Sequence, residues 1–364
     1  MSKYEIGKSI EDVKAESGDI KIHKMSSNEN PFGPSPKAIE AIKSTFSELN
    51  YYPPRDDSIT TEALAKHFGR GLTAGNFTTG NGAVDLINLL ENAMFKEDDS
   101  NSIVICPPCF GSYAATAKLK GAKVIEHALH PKTFDIDSKG IKNSITADTR
   151  LVYVCNPNNP TGTYFDQEAL MTILDSIPEN VTLVYDEVYY HFATEIEMPD
   201  AIQCVLDKRN IVILHSFSKS YGLAGMRMGY AIAKEEIIEQ LRKRKLSFQN
   251  DSISMAAMQA GLGDKAFLDI TINNNTEQRA WLRDQMTALG IKFWPSQSNF
   301  ICFEAPKGRK ANEIVSLLLP YGVMVRAAFY LPNHVRVSVG QPESNQEFIR
   351  AMSEIVTKLN GEEA

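Results

Sequence analysis

The chain contains no apolar run of the roughly 18 residues that a membrane-spanning helix needs. Its first residues, MSKYEIGKSIEDVK, carry no apolar signal-peptide core. The expectation is a cytoplasmic protein that neither spans a membrane nor is secreted. Cysteine is scarce and odd in number: Cys106, Cys109, Cys155, Cys204 and Cys302. Such a set suggests reduced thiols rather than a disulfide framework. Cys106-x-x-Cys109 has a zinc-like or redox-like spacing, but Pro107-Pro108 fill it and no second Cys/His pair follows at finger spacing, so no metal is expected. Cys155 and Cys302 lie in apolar runs, where a buried thiol is the default. Basic blocks are equally rare in a chain of net charge −7. The one Lys/Arg run, Arg242-Lys243-Arg244-Lys245, closes an expected helix, where cations suit the dipole. It reads as a solvated helix end, not as a nucleic-acid patch. Internal repeats and low-complexity tracts are absent.

With 364 residues, 43% of them hydrophobic, the chain suits a globular protein of one large domain and a smaller one. Ser35 can cap a helix over 36–46, with Pro36 in its first turn. From about residue 75, strand-like runs at 102–106, 123–127, 151–155, 182–185, 210–215 and 229–233 alternate with helical stretches at 84–93, 113–119 and 166–175. That rhythm predicts an α/β fold with a mainly parallel sheet covered by helices on both faces. After a helix over 237–246 the rhythm changes. Helices over 253–261 and 267–288 precede strands at 299–303, 323–326 and 335–339 and a helix over 345–359, a smaller α+β unit. The expected division is an N-terminal segment over 1–45 returning to the small domain, a large domain over 46–250 and a small C-terminal domain over 251–364.

Ligands of parallel sheets sit at the carboxyl ends of the strands. There the chain presents Ser216-Phe217-Ser218-Lys219, with Arg227 close behind in a Gly-rich turn. A lysine amine can condense with an aldehyde, while hydroxyls, amides and a guanidinium hold a phosphate. The plainer account of Lys219 alone is a solvated lysine after a buried strand. Thr79-Gly80-Asn81-Gly82-Ala83-Val84 opens a helix whose amides can cradle a phosphate, although many such turns are only turns. Phe110 and Tyr113 follow another strand and can stack on a flat ring or simply pack. Asn159 is projected by the turn Asn156-Pro157-Asn158-Asn159-Pro160-Thr161-Gly162, which also makes sense as backbone chemistry alone. Asp186, at a buried strand end, is costly unless paired; it can face a pyridine nitrogen or cap the next element.

Taken together with Asn28-Glu29-Asn30-Pro31, Tyr52-Pro53, Asp186-Glu187-x-Tyr189 and two later arginines, the set resembles the fold-type I pyridoxal-phosphate aminotransferases of class I/II, in the histidinol-phosphate aminotransferase-like branch. The resemblance spans nearly the whole chain. It implies pyridoxal 5'-phosphate as cofactor, bound in the large domain, and a catalytic set of Lys219, Asp186 and Tyr189. Lys219 would bind the cofactor aldehyde and move the proton, Asp186 would pair with the pyridine nitrogen, and Asn159 and Tyr189 would bond the phenolic oxygen. Phe110 takes the ring-stacking place. Gly82, Ala83, Val84, Ser216, Ser218 and Arg227 would hold the phosphate, joined by Tyr52 of a neighbouring subunit in a homodimer with shared sites. Arg336 would clamp a substrate α-carboxylate, or together with Arg326 the phosphate of histidinol-phosphate, which has no α-carboxylate; Asn30 and Tyr52 would join the substrate site.

The implied reaction is a ping-pong amino transfer between a small amino donor and a 2-oxo acid, with histidinol-phosphate and 2-oxoglutarate as the expected pair. Two departures touch the substrate side. The connection 327–335 is short for the branch, and Pro53-Pro54-Arg55 stands where Tyr-Pro-Asp is common. Aromatic donors therefore stay open, with Phe32, Phe329 and Tyr330 available as a pocket. So do a threonine-phosphate type of decarboxylase and a non-catalytic ligand-binding homologue. A cofactor-free lyase would leave the phosphate and ring contacts unused.

Overall fold

Strands covered on both faces need apolar side chains on both, so continuous runs of Val, Ile and Leu become the central strands. The computed structural model describes residues 20–97 and 100–361, together with Glu11 and Lys14. A two-residue strand, β1 (His23–Lys24), comes first. The large sheet then takes β2 (Phe77–Gly80), β3 (Ser102–Ile105), β4 (Lys123–Glu126), β5 (Thr149–Cys155), β6 (Thr182–Asp186), β7 (Ile211–Ser216) and β8 (Gly229–Ala233). Their order is β2-β8-β7-β6-β5-β3-β4. Neighbours are parallel, except that β8 runs against both β2 and β7. The mainly parallel sheet expected from sequence is thus present, with one reversed strand.

Each central strand divides its side chains between two cores. Leu151 and Tyr153 enter one while Val152 and Val154 enter the other; Val212 and Leu214 oppose Ile211 and Ile213 in the same way. This is the period of two that a strand imposes. Helix Ala83–Met94 buries Leu86, Ile87, Leu89 and Leu90 on one face of the sheet, and helix Gln167–Ser176 buries Leu170, Ile173 and Leu174 on the other. Ser35 caps helix Pro36–Ser44 by accepting from the Ala38 amide at 3.0 Å. Helices Ser58–Phe68, Ala201–Leu206 and Ala311–Leu318 were not expected. The first buries Thr60 and Thr61 beside Leu64, and threonines do not mark an apolar stripe.

A second sheet, ordered β11-β12-β9, and a two-stranded pair form from β9 (Phe300–Glu304), β10 (Val323–Met324), β11 (Arg326–Ala327) and β12 (His334–Ser338). The single strand expected over 323–326 is therefore two. β10 pairs with β1, and beyond buried Val325 the chain crosses to pair β11 with β12. Residues 23–28 are stitched to this region: the Met25 amide donates to Met324 O and Met25 O accepts from the Ser338 amide, each at 2.8 Å. Helix Ser252–Leu262, expected with the C-terminal unit, instead places Met255, Ala257 and Met258 in a core of the large sheet. The change of core falls inside helix Lys265–Ala288, which meets the large-sheet core at Leu268 and the C-terminal core at Leu282 and Met286.

The basic run 242–245 is not simply a solvated helix end. Lys243 is exposed, but the half-buried Lys245 turns its side chain inward, with its amine 2.7 Å from the Asp57 carboxylate and 2.9 Å from both Thr79 Oγ1 and Asn250 Oδ1. Asp57 also accepts from the Thr79 amide at 2.8 Å, which ties the pair to β2 just ahead of the Gly-rich turn. Burial raises the Asp57 carboxyl, but Lys245 and the bonds from Thr78 and Thr79 outweigh it and hold the group below its ordinary 3.8. Its stabilising contribution is thus full above that value and is lost as pH falls through the lower folded one. Lys245→Met is expected to cost about 3–5 kcal/mol in urea melts, because it strands a buried carboxylate. Asp57→Asn/Lys245→Met should recover most of that loss.

Candidate active site

The loops after β5, β6 and β7, the helix start after β2 and the segment after β1 meet at a cavity of about 320 Å³. Lys219, just past β7, reaches into it and donates from Nζ to Ser27 O at 3.0 Å. Burial, with the Arg336 and Arg227 charges, pushes this amine down to about 8 against the pull of Glu29 and Asp186. Asp186 ends β6 among the cavity walls. Its Oδ1 accepts from the Val188 amide at 3.1 Å and its Oδ2 from the Tyr113 hydroxyl at 2.5 Å. Burial raises its carboxyl to about 6, with the Tyr113 bond opposing.

Asn159 and Tyr189 stand on the same wall. Asn159 accepts through Oδ1 from Arg336 Nη1 at 2.6 Å, so its NH₂ faces elsewhere. The Tyr189 hydroxyl accepts from Asn28 Nδ2 at 3.1 Å and keeps its own proton to donate. Phe110 lines the cavity edge-on to Tyr113, with ring centres 5.7 Å apart.

At the other end Ala83 and Val84 open helix Ala83–Met94, whose start no side chain caps. Open amides at a helix start favour an anion. Ser216 Oγ accepts from the Ser218 amide at 3.1 Å, and Arg227 Nη1 donates to Ser218 Oγ at 3.4 Å. Gly82 sits at φ 82°, where a Cβ would collide with the Arg227 guanidinium. Two hydroxyls, open amides and a guanidinium thus face one spot.

The mouth carries a second anion-seeking group. Arg326 and Arg336 are direct partners across β11 and β12. Like charges directly opposite on neighbouring strands destabilise a sheet, so the pair makes physical sense as a site for an anion. Phe329 lies against both guanidiniums, 4.6 Å from that of Arg326 and 5.7 Å from that of Arg336. Arg336 is buried and also donates to Ser26 O at 2.8 Å.

Two expected residues, Asn30 and Tyr52, are not among the cavity walls. Asn30 is spent on structure: its amide donates to Ser220 O at 2.9 Å and Thr271 Oγ1 at 3.0 Å, and its Oδ1 accepts from the Phe32 amide. Asn28, at φ 55°, turns into the cavity in its place. Tyr52 is 86% exposed and rests on Phe248, with ring centres 5.2 Å apart. Of the aromatics considered for a side-chain pocket, Phe329 lines the cavity.

The model for aminotransferases of class I and II matches residues 20–352. The chain belongs to this family. It is 36% identical to a histidinol-phosphate aminotransferase of Geobacillus sp. (strain WCH70) over 98% of this chain and 96% of that protein. A histidinol-phosphate aminotransferase of Bacillus subtilis (strain 168) is 35% identical over 98% of each. The fold matches the crystal structure of histidinol-phosphate aminotransferase from Sinorhizobium meliloti in complex with pyridoxal-5'-phosphate, with a TM-score of 0.88, 24% identity, and 97% of this chain and 96% of that one covered.

Behind the cavity this aminotransferase carries a polar lock that was not foreseen. Glu187 Oε2 lies 2.9 Å from His215 Nε2, and His215 Nδ1 lies 2.8 Å from the Tyr230 hydroxyl. Burial raises the Glu187 carboxyl to about 8 and lowers His215 to about 3, so both favour their neutral forms. The chain of bonds joins β6, β7 and β8 just where they deliver Asp186 and Ser216. The hint in the sequence was a glutamate and a histidine ending neighbouring apolar strands. All five cysteines are buried and unpaired. Among the described residues, no helix is long and apolar enough to cross a membrane.

Proposed function

We propose that this aminotransferase uses pyridoxal 5'-phosphate to move the amino group of histidinol-phosphate to 2-oxoglutarate. The observation that carries the proposal is the cross-strand pair of Arg326 and Arg336 in the cavity that holds Lys219 and Asp186. Either reactant brings an anion to that pair, a phosphate or a carboxylate. The residues present fit the cofactor: the carboxylate of Asp186 suits a pyridine nitrogen, and the cradle of Ala83, Val84, Ser216, Ser218 and Arg227 suits a phosphate, while Gly82, whose own amide donates to Gly80 O at 2.7 Å, leaves room for the Arg227 guanidinium. When bound, pyridoxal phosphate supplies an aldehyde for an amine and a ring that accepts the electron pair left by a departing α-proton.

The chain's own residues do the rest. Lys219 would hold the cofactor through its amine and, when that amine is free, would carry the α-proton on Nζ. Asp186 would keep a positive ring nitrogen in place. Asn159, through its remaining NH₂, and Tyr189, through its hydroxyl, would donate to the phenolic oxygen, and Phe110 would cover a ring face. Arg336 orients the substrate anion by a two-pronged contact, with Arg326 beside it. Gly82→Ala is expected to weaken cofactor binding about tenfold or more in equilibrium dialysis, since a side chain there is strained by about 1–2 kcal/mol and displaces Arg227.

The proposal extends to a cytoplasmic homodimer. Phe46, Leu49, Tyr51, Tyr52, Leu246 and Phe248 are exposed apolar groups, and a second subunit covering them would carry Tyr52 to its own cofactor phosphate. Buried, unpaired thiols suit a reducing compartment. A division into a large cofactor domain and a small C-terminal domain, with the N-terminal segment returning to the latter, is supported by the β1–β10 pairing and the separate cores.

The test is a half-reaction with single donors: histidinol-phosphate, histidine, phenylalanine, tyrosine, aspartate and threonine-phosphate. Rapid loss of the cofactor's aldehyde-form absorbance with histidinol-phosphate alone is the expected result. The second candidate is an aromatic amino acid donor, favoured by Phe329 within the cavity, 6.4 Å from Phe110. Faster conversion by phenylalanine or tyrosine would establish it. Release of carbon dioxide from threonine-phosphate would overturn amino transfer.

A further inference from the structure

Asp186 ends β6 in the cavity wall, where a carboxylate can hold a positive ring nitrogen, and its burial works against its charge. It is 4% exposed. Glu187 adjoins it, the Cys155 thiol faces it from the end of β5, and Lys219 faces it from beyond β7. Burial is the largest influence on it and favours the protonated acid, which could not hold a protonated nitrogen. The strongest opposing contact is the Tyr113 hydroxyl, 2.5 Å from Oδ2.

That contact has a built geometry. Tyr113 is 1% exposed. Its ring stacks on Tyr153, 4.8 Å away and tilted by 16°, and it meets the edge of Phe110 on the cavity side. Both χ angles are therefore fixed by packing. Burial and the Asp186 charge also keep the phenol protonated, so it acts only as a donor. Oδ1 is held separately by the Val188 amide. The carboxylate plane is thus set by one bond on each oxygen, from two different elements.

We propose that Tyr113 is a positioning residue, whose hydroxyl keeps Asp186 ionised and oriented so that the proton of the Asp186–pyridine pair resides on the ring nitrogen. The inference rests on the cofactor assignment above. Without the hydroxyl the carboxylate becomes the more basic partner, and the proton moves from the nitrogen to Oδ2. The ring then withdraws electrons less strongly and binds less tightly.

The experiment is nitrogen-15 NMR of holoenzyme reconstituted with ring-labelled pyridoxal phosphate, together with cofactor dissociation constants for the apoproteins. The wild type should show a protonated ring nitrogen. Tyr113→Phe should move the shift toward that of unprotonated pyridine and weaken cofactor binding about tenfold, the scale of one lost hydrogen bond to a charged group. Tyr153→Phe, which leaves the Asp186 bond intact, should keep the wild-type shift. An unchanged shift and affinity in Tyr113→Phe would overturn the inference while leaving the cofactor assignment standing. If Tyr113→Phe does not fold, 3-fluorotyrosine at position 113, a stronger donor of nearly the same shape, serves instead. It should move the shift further toward the protonated form, and no movement would overturn the inference. Failure of the wild type to take up cofactor at all would overturn the cofactor assignment, and this inference with it.

Discussion

Lys219→Ala is expected to lower the amino-transfer rate by roughly four orders of magnitude, the upper end of what a positioned acid–base group contributes. It removes the attachment point and the proton carrier together. Cofactor should still bind, more weakly, through the phosphate cradle and Asp186, so loss of rate should far exceed loss of occupancy. The pH behaviour gives an independent check. The ordinary lysine value is 10.5, and burial with the Arg336 and Arg227 charges brings Lys219 down to about 8. Below that value the amine is protonated and cannot attack an aldehyde. Capture of pyridoxal phosphate by the apoprotein should therefore speed up about tenfold per pH unit below about 8 and level off above it. Stopped-flow absorbance measures it directly. A rate still climbing at pH 9.5 to 10 would mean that the amine is not shifted.

Arg336→Ala is expected to cut kcat/KM for an anionic donor by roughly a hundredfold to a thousandfold, from the loss of a two-pronged charged contact and of buried bonds. Arg336 ties Asn159 Oδ1 to Ser26 O, and under the proposal it would also hold the substrate anion. Its removal should therefore also disturb the cofactor spectrum through Asn159. Arg326 is half-buried, and Arg326→Ala should raise KM with less effect on the spectrum. Arg336→Lys keeps the charge but not the fork, and should fall between wild type and Arg336→Ala. Steady-state kinetics with histidinol-phosphate, paired with absorbance spectra of the resting holoenzymes, separates these outcomes. Equal losses for Arg326→Ala and Arg336→Ala without spectral change would leave both as simple attractors of charge.

Much of the architecture was legible because buried parallel strands need apolar side chains on both faces. Runs such as Leu151–Cys155 and Ile211–Leu214 allowed few other assignments. The order of polar groups at the strand ends was legible for the same reason, since little else in those runs is polar. What escaped depends on contacts distant in sequence. Lys245 looks like its exposed neighbour Lys243 until Asp57 arrives from nearly two hundred residues away. Tyr113 looks like packing until β6 brings Asp186 to its hydroxyl. Asn28 and Asn30 are equivalent on paper, and only the left-handed turn at Asn28 decides which one enters the cavity. The strand over 323–326 divides because its two halves answer different partners, β1 and β12, neither adjacent in sequence. Helix Ser252–Leu262 was legible as a helix but not its packing partner, because Met255 and Met258 are as apolar as the residues of either core. Tyr52 carries no such signal within one chain, since its expected partner is a second copy.

The most direct test of the account is to treat the purified holoenzyme with borohydride, digest it, and find by mass spectrometry which residue retains the cofactor. The account predicts a single reduced adduct on the peptide that contains Ser218-Lys219-Ser220, with Lys219 as the modified residue. An adduct on a different lysine, or a fully loaded enzyme with Lys219 unmodified, would contradict it.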